Sequence, residues 1–190
     1  IQGEARRLIA EVERMLSFAG IQSGRAAYDF RLTDVGELVG RALEEFRPAF
    51  EDGGWTVEQD VPDSLPPVMA DARAVESAVK NLVENGLKYG ATGKWLRVSA
   101  RADRNGKGSE VCVTVEDRGP GVGPSEAAHI FEPFYRGCAA RDAAAGGAGL
   151  GLSLVRRHAE AHGGRVTVAR SDEGGAVFTL HLPAKGDGDA

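Results

Sequence analysis

Asn81-Leu-Val-Glu-Asn-Gly-Leu-Lys-Tyr-Gly90 is the stretch on which the reading of the whole chain turns. Plotted at about 100° per residue, Val75, Val79, Leu82, Val83 and Gly86 fall on one side of a helix, with Asn81, Asn85 and Lys88 in a narrow stripe opposite. One face packs and the other holds something. Asn is a mediocre helix former, so two of them one turn apart call for either a solvated surface or a task for two amide oxygens. Taken alone, the solvated surface is the simpler reading. Hard-cation chemistry supplies the other, because Mg²⁺ takes oxygen ligands and shares its remaining positions with water and substrate phosphates. Lys88, one turn on, would then meet phosphate charge.

Upstream, Asp71 is the expected N-cap of this helix, reached from a strand over Trp55 to Val61 and a return through Val68 and Met69. Before that, Asp34 and Glu37 are spaced as a capping box for a helix running to about Asp52. Its apolar set, Val35, Leu38, Val39, Ala42, Leu43, Phe46 and Phe50, has helical period; Pro48 should kink or loosen its last turns, and Gly53-Gly54 should stop it. Downstream, Trp95 to Ala102 and Glu110 to Asp117 predict a hairpin about the polar turn Asp103 to Ser109. Val111, Val113 and Val115 alternate there with Cys112, Thr114 and Glu116, so one face of that strand packs. A helix over about Leu150 to Ala161, ended by Gly163 and Gly164, and two strands, Arg165 to Ser171 and Ala176 to Leu182, follow. Mixed strands and helices without regular βαβ alternation predict an α/β fold, a two-layer sandwich whose mixed β-sheet is covered on one face by helices.

Ahead of this domain, Ile1, Ala5, Leu8, Val12, Met15 and Ala19 recur at alternating spacings of four and three, the seam pattern of a coiled-coil-like helix over 1–22. Residues 23–33 read as a linker with a short extended piece around Tyr28 to Leu32, and 184–190 as a small, polar, disordered tail. The first residue is Ile1 rather than Met, so a piece of a longer protein is expected. With 190 residues, 42% hydrophobic and 27% charged, the chain has ample length for a core. A net charge of -5 without a Lys/Arg run argues against nucleic acid as the main partner. Two cysteines, Cys112 and Cys138, make neither a disulfide framework nor a metal site and fit a reducing compartment. No apolar run approaches membrane-spanning length, so the expected location is cytoplasmic, with anchoring of a parent protein left open.

Three further stretches fall where the chain turns. Asp117-Arg-Gly-Pro-Gly121 ends a strand with an acceptor-only carboxylate and two glycines that let a ligand approach the backbone. Such a carboxylate would accept from an exocyclic amino group and so prefer adenine to guanine, although DxGxG alone is an ordinary turn. In Phe131-Glu-Pro-Phe-Tyr-Arg136 the aromatics by themselves read as pins holding a loop to the core. Gly146-Gly-Ala-Gly-Leu-Gly-Leu152 precedes a helix, and its exposed N–H groups at a helix N-terminus make a phosphate cradle. No Lys-Ser or Lys-Thr follows, as a P-loop requires, and no strand precedes, as a dinucleotide fingerprint requires; a mobile lid over a nucleotide fits better. His158 and His162 lie one helical turn apart but lack the HExxH order and a third ligand, so a metal role is set aside.

Taken in order, NLVENGLKY, DRGPGVG, FEPFYRG and GAGLGLSLV resemble the N, G1, F and G2 boxes of the sensor histidine kinase catalytic domain, a superfamily shared with gyrase, the heat-shock chaperone ATPase and mismatch-repair ATPases. The resemblance implies a histidine kinase-type ATP-binding fold over 34–183. It makes residues 1–22 the second helix of a dimerisation and phosphoacceptor hairpin whose first helix, with the acceptor histidine, this sequence lacks. By it, Asn81 and Asn85 position Mg²⁺, Lys88 approaches the phosphates and Tyr89 lies beside the nucleotide. Asp117 binds the adenine amino group, Gly119 and Gly121 shape the pocket, and Arg136 approaches the γ-phosphate. Gly147, Gly149 and Gly151 form the hinge and phosphate-facing end of the lid, and Phe131, Leu150 and Leu152 join the nucleotide-binding set. Asn81, Lys88 and Arg136 are then the catalytic residues, ATP and Mg²⁺ the cofactors. The implied partners are ATP or ADP, the phosphoacceptor hairpin and a response-regulator receiver domain, in a homodimeric parent.

Two departures bear on chemistry. Relatives that hydrolyse ATP resemble this helix but carry a Glu general base at the position of Asn81; an amide cannot take that proton, so hydrolysis should be slow and the γ-phosphate kept for another acceptor. The kinases commonly have Ala at the position of Gly86, where Gly should loosen the helix by under about 1 kcal/mol without loss of binding. None of the four histidines, His129, His158, His162 and His181, has the acceptor context, so this chain alone should bind nucleotide without phosphorylating itself. The alternatives are an ATPase of the gyrase type driving a conformational cycle, disfavoured by Asn81, and a non-catalytic nucleotide-sensing dimerisation module.

Overall fold

The alternating valines of the predicted hairpin lie in the middle of a sheet. The computed structural model describes residues 27–105, 108–137 and 148–184, together with Val12, Met15, Leu16, Ala19 and Gly20 upstream. The elements are β1 (Arg31–Thr33), α1 (Val35–Gly53), β2 (Thr56–Asp60), β3 (Val68–Ala70), α2 (Ala72–Tyr89), β4 (Trp95–Asn105), β5 (Gly108–Asp117), α3 (Pro124–Ala127), α4 (Gly151–Ala161), β6 (Arg165–Arg170) and β7 (Ala176–Pro183). Five strands form one sheet in the order β2-β4-β5-β7-β6; β2 runs parallel to β4 and the other neighbours are antiparallel, so the sheet is mixed. β1 and β3 pair separately as a two-stranded antiparallel ribbon.

The pleat of β5 sorts its residues. Val111, Val113 and Val115 are buried in the core shared with the helices, and Cys112, Thr114 and Glu116 project from the other face. α2 lays Val75, Ala78, Val79, Leu82, Val83 and Gly86 into that core and packs against both α1 and α4. Each fully buried Val or Leu contributes about 1.5–3 kcal/mol, so the helical layer is anchored by ordinary apolar burial.

Caps set the helix ends. Asp34 accepts from the N–H groups of Gly36 and Glu37 at 2.8 and 3.2 Å, and Asp71 accepts from Ala74 at 3.0 Å. The reciprocal half of the expected capping box goes elsewhere: the Glu37 carboxylate pairs with Arg41 one turn on, at 3.0 Å, a charge-assisted bond stronger than one to a neutral N–H. α1 runs on through Pro48 and stops at Gly54, whose left-handed φ of 63° lets its N–H return to Phe50 and Glu51.

Strands β4 and β5 extend to Asn105 and Gly108, further into the hairpin turn than predicted, and β1 sits at Arg31–Thr33 rather than Tyr28 to Leu32. α3, too short to show periodicity, went unpredicted. Of the expected N-terminal seam, Val12, Met15 and Ala19 are helical, with Val12 and Met15 exposed; Ile1, Ala5 and Leu8 lie outside the described residues. So does the tail from 185, whereas Ala184 bridges to Val68.

Candidate functional site

β5 delivers Asp117 to its end on the helix-facing side, where the residue is 4% exposed. Its Oδ1 accepts from the N–H of Gly119 at 2.8 Å and of Ala176 at 3.4 Å. Burial pushes its pKa up, and the two backbone hydrogen bonds work against that rise. The result is a desolvated acceptor held by backbone at the end of a strand.

The glycines around it serve the chain itself. A Cβ on Gly119 would lie 2.5 Å from the Tyr89 carbonyl oxygen, and one on Gly121, whose φ is 73°, would lie 2.7 Å from the oxygen of Gly174. The close approach expected for a ligand is thus used by backbone meeting backbone, which clamps the end of α2 to this loop and the loop to the β6–β7 turn. A Cβ on Gly90 would likewise lie 3.1 Å from the Asp117 Cβ.

The Asn stripe of α2 is covered. Asn81 is 8% exposed; its Nδ2 donates to the Ser77 carbonyl at 2.8 Å, and a Cβ on Gly151, the first residue of α4, would lie 3.0 Å from its Oδ1. The simple solvated-surface reading fails because α4 crosses the far side of α2. Asn85 is half-buried, and its Nδ2 is fully buried with no hydrogen-bond partner among the described residues. Such an orphan costs about 1–3 kcal/mol. Lys88 is half-buried with its Nζ 4.9 Å from the Tyr89 ring centre. The Oδ1 atoms of two amide side chains one turn apart are oxygen ligands of the kind a hard cation takes together with water and phosphate, whereas the orphan Nδ2 is a donor and awaits an acceptor.

The other two boxes meet each other. Phe131 packs edge-on to Phe178 at 6.4 Å, the Phe134 N–H donates to the Gly149 carbonyl at 3.0 Å, and both Phe134 and Gly149 have left-handed φ, 64° and 71°. Leu150 is buried with Leu154 and Ala148 in a small cluster of its own, and Leu152 packs on the main core. The N-cap residue of α4 is Leu150, which has no polar side chain, so among the described residues no side-chain cap engages its first N–H groups, which suit an anion. Arg136 is half-buried, and Gly147 lies outside the described residues. The structure therefore brings Asn81, Asn85, Lys88, Tyr89, Asp117, Gly119 and the start of α4 around one region, with 131–137 tied to it through Gly149.

Sequence reasoning missed two arrangements. Glu126 of α3 lies against Gly137, where an added Cβ would be 2.6 Å from its Oε1, and it reaches the Gly123 N–H at 3.4 Å. Its spacing to Gly123 is a capping pattern without a polar cap residue, so no motif marks it. The second is the cluster of Tyr28, His158, His162 and Asp71: Tyr28 Oη lies 3.2 Å from His158 Nδ1, and His162 bonds both the Asp71 N–H and the His158 carbonyl. The two histidines are thereby engaged with protein groups; burial lowers the His158 pKa to about 4.

The family described as histidine kinase-, DNA gyrase B- and HSP90-like ATPase matches residues 70–186. The sensor-like histidine kinase SenX3 of Mycobacterium tuberculosis is 34% identical over 181 residues, 95% of this chain and 43% of its own length. Among solved structures, full-length ShkA in complex with AMPPNP superposes with a TM-score of 0.77 at 29% identity, covering 95% of this chain and 36% of that one. The ATP-binding domain of PrrB from Mycobacterium tuberculosis superposes at 0.63 with 28% identity, covering 83% of this chain and 98% of that one. The chain thus spans less than half of the curated relative it matches, and nearly all of a solved ATP-binding domain. It belongs to the histidine kinase-, DNA gyrase B- and HSP90-like ATPase family, as an ATP-binding catalytic domain of the histidine kinase type.

Proposed function

We propose that this domain binds Mg-ATP between α2, the end of β5 and the start of α4. Within its full-length protein it would donate the γ-phosphoryl group to a histidine of a dimerisation hairpin, for relay to an aspartate of a response regulator. The observation that supports this reading is that α2 connects three chemistries matched to adenine, phosphate and Mg²⁺: a buried, desolvated Asp117 packed against Gly90 at its end, the Asn81/Asn85 amide pair along it, and the start of α4 against Asn81. Asp117 accepts from the adenine amino group. Asn81 and Asn85 hold Mg²⁺ through their amide oxygens, and the ion neutralises phosphate charge. Lys88 and Arg136 face the phosphates, and Tyr89, Phe131, Leu150 and Leu152 enclose the nucleotide. Gly147, Gly149 and Gly151 allow a lid to move.

Phosphoryl transfer is catalysed chiefly by positioning and charge stabilisation, so little else is required of the domain. The amide at position 81 cannot act as a general base toward water, which preserves the phosphoryl group for the histidine. On this reading the domain works in the cytoplasm and the parent protein acts as a homodimer. The presence of AMPPNP in the related ShkA structure supports the choice of nucleotide.

Calorimetric titration with Mg-ADP, Mg-ATP and Mg-GTP, on the natural chain and on Asp117→Asn, tests the reading. Adenine-selective binding that is lost in the variant is expected. Equal affinity for ATP and GTP, or binding indifferent to Asp117, would overturn it.

A further inference from the structure

The face of the sheet turned away from the helices carries a second constellation. β5 and β7 place Cys112 directly opposite His181, with Glu110 two residues before Cys112 on the same face. Cys112 Sγ lies 3.3 Å from His181 Nδ1, Glu110 Oε2 lies 3.5 Å from that nitrogen, and the three ligating atoms all fall within 4.8 Å of one another. Zinc bonds of about 2.0–2.3 Å set tetrahedral ligands about 3.3–3.8 Å apart. The two separations to His181 already have that length.

The tautomer of His181 is set by its neighbours. Arg165 offers only N–H groups, and one of them lies 3.1 Å from His181 Nδ1; that nitrogen therefore presents its lone pair. The proton sits on Nε2, 3.1 Å from Thr167 Oγ1, which accepts it. A hydroxyl that fixes the remote ring nitrogen, and so leaves the near one unprotonated beside a thiol and a carboxylate, is the supporting arrangement of a metal-ligating histidine. Arg165 itself is half-exposed and binds Glu110 through both guanidinium nitrogens, at 2.6 and 3.0 Å. The position is one that already attracts a cation, held by a side chain free to swing outward.

We propose that Glu110, Cys112 and His181 form a binding site for a zinc-type divalent cation, the metal displacing the Arg165 guanidinium and leaving a fourth position open. A thiolate, an imidazole and one carboxylate favour a borderline cation over Mg²⁺, so the site is chemically separate from the nucleotide site as well as on the opposite face from Asp117. Its ligands come from two strands far apart in sequence, so no spacing motif announces it.

The test is titration of the whole chain with Co²⁺, read by the thiolate-to-cobalt charge-transfer band in the near ultraviolet, followed by displacement with Zn²⁺. One equivalent is expected to bind, unaffected by millimolar Mg²⁺. Cys112→Ser should abolish the band, whereas Cys138→Ser should retain it. His181→Ala should weaken affinity at least about 100-fold and Thr167→Val about 10-fold, while Arg165→Met, a substitution of an exposed side chain, should tighten it. No band in either the natural chain or Arg165→Met, or a band that survives Cys112→Ser and vanishes in Cys138→Ser, would overturn the assignment.

Discussion

His162 Nε2 accepts a hydrogen bond from the backbone N–H of Asp71 at 2.9 Å, so a side chain at the end of α4 serves the N-cap of α2. Its other ring nitrogen lies 2.6 Å from the His158 carbonyl, to which it donates, so both ring nitrogens are engaged by backbone. Tyr28 meets that ring edge-on at 5.5 Å and Phe30 meets it at a tilt at 5.0 Å, and the Asp29 N–H donates to Asp71 at 2.9 Å. The segment leading into β1 is thus docked on α4 and the α2 cap through a cluster that tolerates little positive charge.

Acid should loosen this cluster in a defined window. His158 is buried and its pKa is lowered from 6.5 to about 4, chiefly by burial and then by His162. The folded-state value lies below the unfolded one, so the unfolded chain takes up the proton first as pH falls. The contribution is intact above about 6.5, is lost between there and about 4, and changes no further below, with a total on the order of 3 kcal/mol. Urea melts at several pH values across that window should show a steeper stability loss in the natural chain than in His158→Gln. Parallel slopes would show that His158 protonation is not linked to unfolding.

Asp117 should separate binding from stability. Its carboxylate is desolvated and its pKa raised by burial, so its ionised form stabilises the fold less than an acceptor that carries no charge. Asn at this position keeps an oxygen for the Gly119 and Ala176 N–H groups. Asp117→Asn is expected to melt at the same temperature or higher, while Mg-ATP affinity falls at least about 100-fold, as it does when a site built to pair a polar group loses its partner. A variant that loses binding only because it unfolds would be exposed by the melt.

How much of this was legible in the chain depends on where each contact originates. The valines of β5, the two Asp caps and the glycine stops are local, and period and spacing disclose them. The burial of Asn81 is not local. It follows from α4 crossing α2, and nothing in the α2 sequence says which element covers its second face. The same holds for Gly119 and Gly121, which read as room for a ligand until Tyr89 and Gly174 are found filling it. From the sequence, Cys112 and Cys138 make no metal site, because His181, the neighbour of Cys112, arrives from another strand.

Gly86 illustrates how packing overrides propensity. From helix preference alone, Gly86→Ala would stabilise α2 by up to about 1 kcal/mol. A Cβ there would collide with the Leu96 side chain, which is fully buried beneath the helix. Repacking a filled core costs about 1–3 kcal/mol, so the net change is expected to be destabilising by about 1 kcal/mol. Gly86→Ala combined with Leu96→Val should recover part of that loss in denaturant melts. A single variant more stable than the natural chain would show that Leu96 moves aside without penalty.

Asn85 offers the cleanest division between fold and ligand. Its Nδ2 is buried with no hydrogen-bond partner among the described residues, so the side chain contributes little there to offset its desolvation. Ala is the better helix former by about 0.6 kcal/mol, and Asn85→Ala should leave stability unchanged or raised by about 1 kcal/mol. Were the amide kept for Mg²⁺, the variant would lose most of the affinity that the metal adds to ATP, while metal-free ATP, measured in excess chelator, would bind nearly as before. The comparison of the two titrations, not the loss of affinity alone, identifies the role. A destabilised variant whose affinity falls equally with and without Mg²⁺ would make Asn85 a structural residue of α2, and would move the search for the metal ligands to Asn81 and the start of α4.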